Sequence, residues 1–433
     1  MKIDFEKVFS FSAPVSILDT DLYKLTMLQY IWTMSWDHMP TAFRFIERNR
    51  ENQKSENLIS PEIYKLTFQV LNEWVKSAKF SDSDLEYLKT ILDDEGKPVF
   101  RDNFLEYLKT EFSLSPLKFD EENLILSTEG SWASTTLWEI YVLSTINAIY
   151  NLSQVPDMID NNFYLVNAET RLLSKIDTLK SSYLKPKISD FGTRRRHSFN
   201  THRYVLKRLK EEEIISATSN VYFAREFDLK PVGTFAHEIP MGAMGINDLI
   251  LDEITEEFNY KYVYKPTFVA WKKLNGKGFH IALTDTYGSK KFFDYDLIDL
   301  SWDGVRHDSG CPFQFTELVL DWISRKDQKL ERPFKIVYSD GLTFSKILEI
   351  QEKYGNHPQL ELQYGIGTNL TNDVNVTPIP IVMKLTEIDG ASTVKLSDNL
   401  NKAISYGEKS KINIERYRKI FGHNHNQKQE LYV

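Results

Sequence analysis

The chain has 433 residues, too many for one compact core of ordinary size, so a barrel-sized domain plus a smaller one, or two to three conventional domains, is expected. Lys and Arg number 53 against 61 Asp and Glu, a formal charge of −8 that excludes a general nucleic-acid binder while leaving room for a local basic pocket. With 42% hydrophobic residues, 22 Tyr and 27 Phe, extensive disorder is excluded as well.

The first 150 residues read as mainly helical. The start, Met1–Glu6, carries acids and no apolar signal stretch, and no later apolar run approaches the ~20 residues of a membrane helix. A soluble, cytoplasmic protein without membrane or nucleic-acid partners is expected. Leu18 to Trp32 places apolar groups at spacings of three to four, one helix face. Glu47–Lys54 reads as a charged surface loop, Ser81–Thr90 as a solvated helix and Trp138–Tyr150 as a largely apolar one.

From Pro186 the texture changes to short β-type runs, each ending in small, polar or charged residues. Lys187–Ser189 runs into Asp190-Phe191-Gly192-Thr193-Arg194-Arg195-Arg196, Ile214–Ala217 into Thr218-Ser219-Asn220, and Lys230–Val232 into Gly233-Thr234-Phe235-Ala236-His237-Glu238. Ile281–Leu283 meets Thr284-Asp285-Thr286, and Gly304–Arg306 meets His307-Asp308-Ser309-Gly310. Lys335–Tyr338 meets Ser339-Asp340-Gly341 before a helical Thr343–Tyr354, and Leu360–Tyr364 meets Gly365-Ile366-Gly367-Thr368. Strands alternating with helices pair in parallel through right-handed crossovers. About seven such units suit an irregular barrel of the triose-phosphate-isomerase type, whose chemistry lies where strands end. An open doubly wound sheet is the alternative, with its site at one switch point. Ile381–Glu387 and Ala391–Leu396 read as a hairpin around Asp389-Gly390, and Asn424–Gln429 as a frayed polar tail.

The strand-end clusters carry the chemistry. Gly365–Thr368 offers converging N–H groups and a hydroxyl to a phosphate, although many tight turns look alike and the segment is neither a Walker loop nor a full G-x-G-x-x-G. Asp285, Asp308 and Asp340 at one barrel mouth suit ribose hydroxyls, Mg²⁺ or acid–base work; each alone equally well caps a helix. Arg194 to Arg196 and Arg306 concentrate positive charge, and an arginine fork at a strand end holds a carboxylate or phosphate. One of the three consecutive arginines is expected to be solvated. Phe191 and Tyr23 offer flat faces to a ring. His237 follows a Gly-Thr turn, where an imidazole serves as nucleophile or base, or simply as a core histidine.

These stretches, with Thr20-Asp21-Leu22-Tyr23-Lys24-Leu25-Thr26-Met27 before them and Val394-Lys395-Leu396-Ser397-Asp398 after, resemble nicotinate phosphoribosyltransferase of the bacterial and yeast type, in family order. The resemblance implies an irregular TIM-like α/β barrel with a second α+β domain built from the N-terminal part and C-terminal segments. Residues 1–150 and 381–433 then belong largely to the second domain, and 151–380 to the barrel. It implies transfer of a phosphoribosyl group from 5-phosphoribosyl 1-diphosphate to nicotinate in NAD biosynthesis, driven by ATP through a phosphohistidine, with Mg²⁺.

By motif, His237 resembles the phosphorylated residue, acting with Asp285 and Asp308. Tyr23, Phe191, Arg194, Ser219, Thr234 and Arg306 resemble the nicotinate site. Asp21, Asp308, Ser309, Gly310, Asp340, Gly341, Gly367 and Thr368 resemble the phosphoribosyl diphosphate site, with Asp285 toward the metal. Ser219 stands where nicotinamide-using relatives carry an aspartate, which favours the acid as substrate. Cys311, His197 and Asn399–Asn401 depart from the family pattern. A homodimer is the expected assembly. The rivals are a nicotinamide or quinolinate phosphoribosyltransferase, and a barrel-fold glycosidase or sugar-phosphate enzyme.

Overall fold

The computed structural model describes residues 4–51, 58–155, 163–247, 255–374, 376–399, 402–406 and 410–422; the tail at Asn424–Gln429 lies outside them. All seven expected strands after Pro186 form: β4 (Lys187–Asp190), β5 (Ile215–Thr218), β6 (Lys230–Pro231), β7 (Ile281–Leu283), β8 (Gly304–His307), β9 (Phe334–Tyr338) and β10 (Leu360–Ile366). They make one curled parallel sheet in the order β6-β5-β4-β10-β9-β8-β7. Helices follow the strands, among them Phe199–Glu211 after β4 and Pro312–Ser324 after β8. Each crossover returns the chain to start the next parallel strand, so every strand points its C-terminal end the same way.

The sheet edges β6 and β7 share no ladder. One backbone bond, Phe235 N–H to the Ile281 carbonyl at 3.0 Å, links the chain beyond β6 to β7. Proline at position 231 has no N–H to give a ladder, which accounts for a two-residue strand there.

The N-terminal part is mainly helical but not wholly so. Alongside helices such as Leu22–Thr33, Pro61–Trp74 and Trp138–Gln154 it holds β1 (Pro40–Glu47), β2 (Leu117–Asp120) and β3 (Ile125–Ser131). A second, antiparallel sheet runs β12-β11-β1-β3-β2, where β11 is Ile381–Ile388 and β12 is Ala391–Ser392. The hairpin at Asp389-Gly390 is present, with both residues at positive φ, as a two-residue primed turn requires. Its second strand is shorter than expected, because Lys395 turns away to pair with Ile404.

The expected loop at Glu47–Lys54 is corrected as well. Glu47 ends β1 buried, accepting from Ile59 N–H at 2.7 Å and Tyr64 O–H at 2.9 Å, and Arg48–Glu51 is a helical turn. Residues 52–54 lie outside the described set. The helix expected from Leu18 begins at Leu22, after the helix Phe5–Ser12, because Thr20 and Leu22 bond to the chain just beyond β5: Leu22 N–H to the Ser219 carbonyl (2.7 Å) and Val221 N–H to that of Thr20 (2.9 Å).

The helix Trp138–Gln154 joins the two sheets. Every residue from Trp138 to Leu152 is buried, so it lacks a polar face. Three of its polar side chains reach distant backbone: Asn147 Nδ2 donates to the Arg194 carbonyl (3.0 Å), Asn151 Nδ2 to that of His197 (3.1 Å) and Tyr141 O–H to that of Ile17 (2.6 Å). Burial satisfied in this way fixes the loop after β4 against the N-terminal half. No described helix is long and apolar enough to cross a membrane.

Candidate active site

The C-terminal ends of the parallel strands open on a cavity of about 380 Å³. From the strand side it is lined by Phe191, Arg194, Ser219, Thr234, His237, Arg306, Asp308, Asp340, Gly341, Gly367 and Thr368. From the other side come Asp21 and Tyr23, Glu139 of the buried helix, and Lys384 on β11. Thirteen of the residues expected from sequence therefore reach one cavity, and Asp285, Ser309 and Gly310 do not line it.

Asp285 lies just behind the wall. Its carboxylate is buried, with Oδ1 3.6 Å from His237 Nε2, and it accepts from the hydroxyls of Ser309 and Ser397. Ser309 thus supports Asp285, and the Gly310 carbonyl faces His307 Nε2 (3.1 Å). Both belong to the layer under the cavity wall, away from the position expected of diphosphate contacts.

His237 stands at the start of the helix Glu238–Ile246, its Nε2 3.1 Å from Asp308 Oδ2 and its Nδ1 2.9 Å from Thr286 Oγ1. Two carboxylates at Nε2 favour the tautomer with the proton there, which leaves the Nδ1 lone pair facing the threonine hydroxyl. Burial and the Lys395 ammonium push the pKa down to about 4 although both aspartates pull it up, so the ring is neutral at pH 7. Lys395 Nζ lies 3.5 Å from Asp285 and 3.7 Å from Asp308. Asp308 is held well below the usual carboxylate range by Arg306, His237 and Lys395, which outweigh its burial.

Arg306 is more committed to protein than a free anion fork would be. It donates from Nε to Ser339 Oγ (2.7 Å), from Nη1 to Thr234 Oγ1 (3.1 Å) and from Nη2 to Asp308 Oδ1 (2.7 Å), with its guanidinium 5.5 Å from the Phe191 ring centroid. Two of its five N–H groups remain for a ligand. Ser219 Oγ donates to Asp21 Oδ1 at 2.7 Å, which places Asp21 beside Ser219 and not with Asp308 and Asp340, and burial raises its pKa.

None of the three consecutive arginines is a fully exposed surface side chain: Arg194 and Arg195 are half-buried at the cavity. Arg196 is buried in a bidentate pair with Asp19, both bonds 2.7 Å, beneath the site. Arg194 pairs with Glu139 at 3.2 Å. Arg195 lines the cavity beside Arg48; burial and the neighbouring cations Arg194 and Arg48 push its pKa down to about 10. Among the described residues neither Arg48 nor Arg195 has a carboxylate at ion-pair distance, which equips that wall for an anion.

Sequence reasoning missed Arg48, Glu139, Lys384 and Lys402 as cavity residues. Lys395 was quoted within a motif without a role. Glu139 and Lys384 carry no local signal, since each enters from a distant element. Lys402, just beyond the unusual Asn399–Asn401, donates to Asp340 Oδ1 at 2.6 Å. Cys311 precedes the helix Pro312–Ser324 without lining the cavity, and His197 is buried with Nδ1 2.9 Å from Thr201 Oγ1.

The glycines of the β10 turn act by leaving room. A Cβ on Gly365 would lie 2.4 Å from the Phe191 ring, and one on Gly367 3.2 Å from the Phe191 carbonyl oxygen. Gly365 is thus a strand residue that seats the ring. Gly341, at φ +56°, takes the left-handed turn that aims Asp340 at Lys402.

The profile of the nicotinate phosphoribosyltransferase (NAPRTase) family matches residues 186–425, and that of its N-terminal domain residues 18–147. A nicotinate phosphoribosyltransferase of Methanococcoides burtonii is 33% identical over 94% of this chain and 97% of its own. Among solved structures, the nicotinate phosphoribosyltransferase of Vibrio cholerae superimposes with a TM-score of 0.80 at 27% identity over 96% of both chains. That of Porphyromonas gingivalis gives 0.76 at 27% identity, covering 94% of this chain and 99% of the other. With its ordered strand-end clusters gathered at one cavity and both family profiles matched, the chain belongs to the nicotinate phosphoribosyltransferase family.

Proposed function

We propose that this chain joins nicotinate to 5-phosphoribosyl 1-diphosphate, giving nicotinate mononucleotide and diphosphate in NAD biosynthesis, while ATP and water become ADP and phosphate. The observation that carries it is the neutral His237 held by Asp308, Asp285 and Thr286 at the edge of a cavity whose opposite wall is rich in arginine. The nicotinamide, quinolinate and glycosidase alternatives are not favoured by the family match.

In the ATP half-reaction, His237 Nδ1 attacks the γ-phosphorus as the bond to the β-phosphate oxygen breaks and ADP leaves. Asp308 and Asp285 keep the Nε2 proton in place, and the cation cost of phosphorylation is met by their charge. Water later cleaves the N–P bond and restores the imidazole. In transfer, the pyridine nitrogen attacks ribose C1′ as diphosphate departs, and positive charge developing on the sugar is stabilised by Asp308. Tyr23 and Phe191 flank the ring, while Arg194, Ser219, Thr234 and Arg306 hold its carboxylate end. Asp21 orients Ser219. Asp340, Gly341, Gly367 and Thr368 hold the sugar and its 5′-phosphate, with Ser309 and Gly310 supporting from below.

The residues present fit Mg²⁺: Asp285 Oδ1 is buried without a hydrogen-bond partner, and ligand atoms of His237, Asp285 and Asp308 lie within 4.8 Å of one another. Asp285 and Asp308 would hold the ion, which neutralises phosphate oxygens when bound.

We further assign the parallel sheet as an irregular barrel spanning 151–380. Residues 1–150 make the second domain and 381–433 partly return to it, a reading supported by the pairing of β11 with β1 in a single sheet. We assign a cytoplasmic location and a homodimer. Nicotinate-dependent ADP release in the presence of phosphoribosyl diphosphate and Mg²⁺ tests the activity. ADP release that ignores nicotinate, with no mononucleotide formed, would sink it.

A further inference from the structure

We propose that Lys384 is a specificity-determining residue: with Arg194 it gives the ring end of the cavity a surplus positive charge that selects an anionic over an uncharged pyridine. The proposal rests on the nicotinate reading above. Lys384 Nζ and Arg194 Nη1 share one oxygen of Glu139, Oε1, at 2.7 and 3.2 Å. The other oxygen takes Lys24 Nζ at 2.8 Å and Tyr23 O–H at 3.2 Å. Lys24 also pairs with Glu238 at 2.7 Å, and Glu238 receives Trp132 Nε1 and Thr136 Oγ1 besides.

Three cations thus meet two carboxylates, and one positive charge is left over. Lys24 is sealed from solvent, whereas Lys384 and Arg194 line the cavity. The surplus therefore faces the ligand. Asp21 is the remaining carboxyl on this side, and it is occupied by Ser219 while burial favours its neutral form.

Glu139 would seem to invite an amide, but its acceptors are filled by four donors. An amide ligand would find cations to desolvate and no free acceptor on this carboxylate; a carboxylate ligand would find a partner charge. Lys384 arrives on β11, so specificity at the end of the parallel sheet is set by a strand of the other sheet.

The groups facing Lys384 are Glu139, Arg194 and Lys24, with Arg44 its register partner on β1. Burial first, then the two nearby cations, outweigh Glu139 and push its pKa down to about 8. Its charge is therefore present below pH 8 and lost above it.

The test uses the full-length protein with Lys384→Met and Lys384→Arg. The methionine variant removes one of four partners from Glu139 and leaves Lys24, Arg194 and Tyr23 in place, so the fold persists. We expect its KM for nicotinate to rise ten- to a hundredfold. Its KM for nicotinamide should hold or fall, while its KM for phosphoribosyl diphosphate and its labelling by ATP stay as in wild type. An unchanged nicotinate KM in that variant, beside an active wild type, overturns the proposal alone. A wild type that never uses nicotinate overturns the functional reading with it. The arginine variant supplies an independent reading if the methionine variant misfolds. Wild-type nicotinate KM should climb above about pH 8 and the arginine variant should stay flat to pH 9.5; the same alkaline limb in both would overturn the assignment.

Discussion

His237 is unprotonated at neutral pH, since burial and Lys395 push its pKa down to about 4; on the proposed mechanism it attacks in that form. ATP carrying a γ-phosphate radiolabel should therefore mark the protein in an acid-labile, base-stable form, with a rate that does not fall between pH 8 and 6 on account of this ring. His237→Ala should abolish label and ATPase while leaving a slow, ATP-independent transferase, because the remaining cavity groups still position both substrates. Label persisting in a folded alanine variant would remove the phosphohistidine from the mechanism. At Ser219 the neighbouring Asp21 sharpens an expectation drawn from sequence. Ser219→Asp would set a second carboxyl against Asp21, whose partner is now 2.7 Å away as a hydroxyl. Two carboxyls so close share a proton, and the shared negative charge repels nicotinate. The nicotinate KM should rise about tenfold or more, at ~1.4 kcal/mol per factor of ten, while that for nicotinamide improves; unchanged nicotinate kinetics would place Ser219 away from the ring.

The strand-end elements were legible because each combines a β-type run with an abrupt polar stop, a contrast that survives without any knowledge of partners. The antiparallel sheet was not. In β1 the residues Thr41, Phe43 and Phe45 are buried and alternate with Pro40, Ala42 and Arg44, a period-two pattern. It is short, and the charges after it drew the segment toward a loop. Its long-range partner β11 lies more than 300 positions away, at pairs such as Phe45 with Met383. Pairings of that separation leave no local trace, and Lys384 and Glu139 went unseen for the same reason. In β10 the glycine signal was visible but the part of Gly365 in it was not: that residue makes space for the Phe191 ring. Gly365→Ala would force that ring out of its seat, an overpacking of about 1–3 kcal/mol. Thermal unfolding should show that loss, and the nicotinate KM should rise while the KM for ATP stays unchanged. Equal kinetics would mean that Phe191 does not flank the ring.

Three buried histidines have their pKa pushed down. Burial pushes His197 down to about 3, His237 lies near 4, and His307 is lowered as well. In the unfolded chain all three titrate near 6.5. Below that pH the unfolded state binds more protons, so stability falls as pH drops, by about 1.4 kcal/mol per unit for each of His197 and His237, with His307 acting in the same direction. Asp398, pushed up to about 7 by burial and Asp285, works in the opposite direction and offsets one of them. The urea midpoint should accordingly fall between pH 6.5 and 5; a midpoint that rises would show that these rings take up protons in the folded state. The seam between the sheet edges has a further consequence. Its one backbone bond, from Phe235 to Ile281, sits between Thr234 and His237. Outside a ladder it is backed by side-chain bonds, Arg306 Nη1 to Thr234 Oγ1 at 3.1 Å and His237 Nδ1 against Thr286 Oγ1 at 2.9 Å, so this wall should open sooner than a paired strand. Deuterium exchange at the Phe235 amide is a clock for that opening, and a ligand bound against Thr234 and Arg306 should slow it.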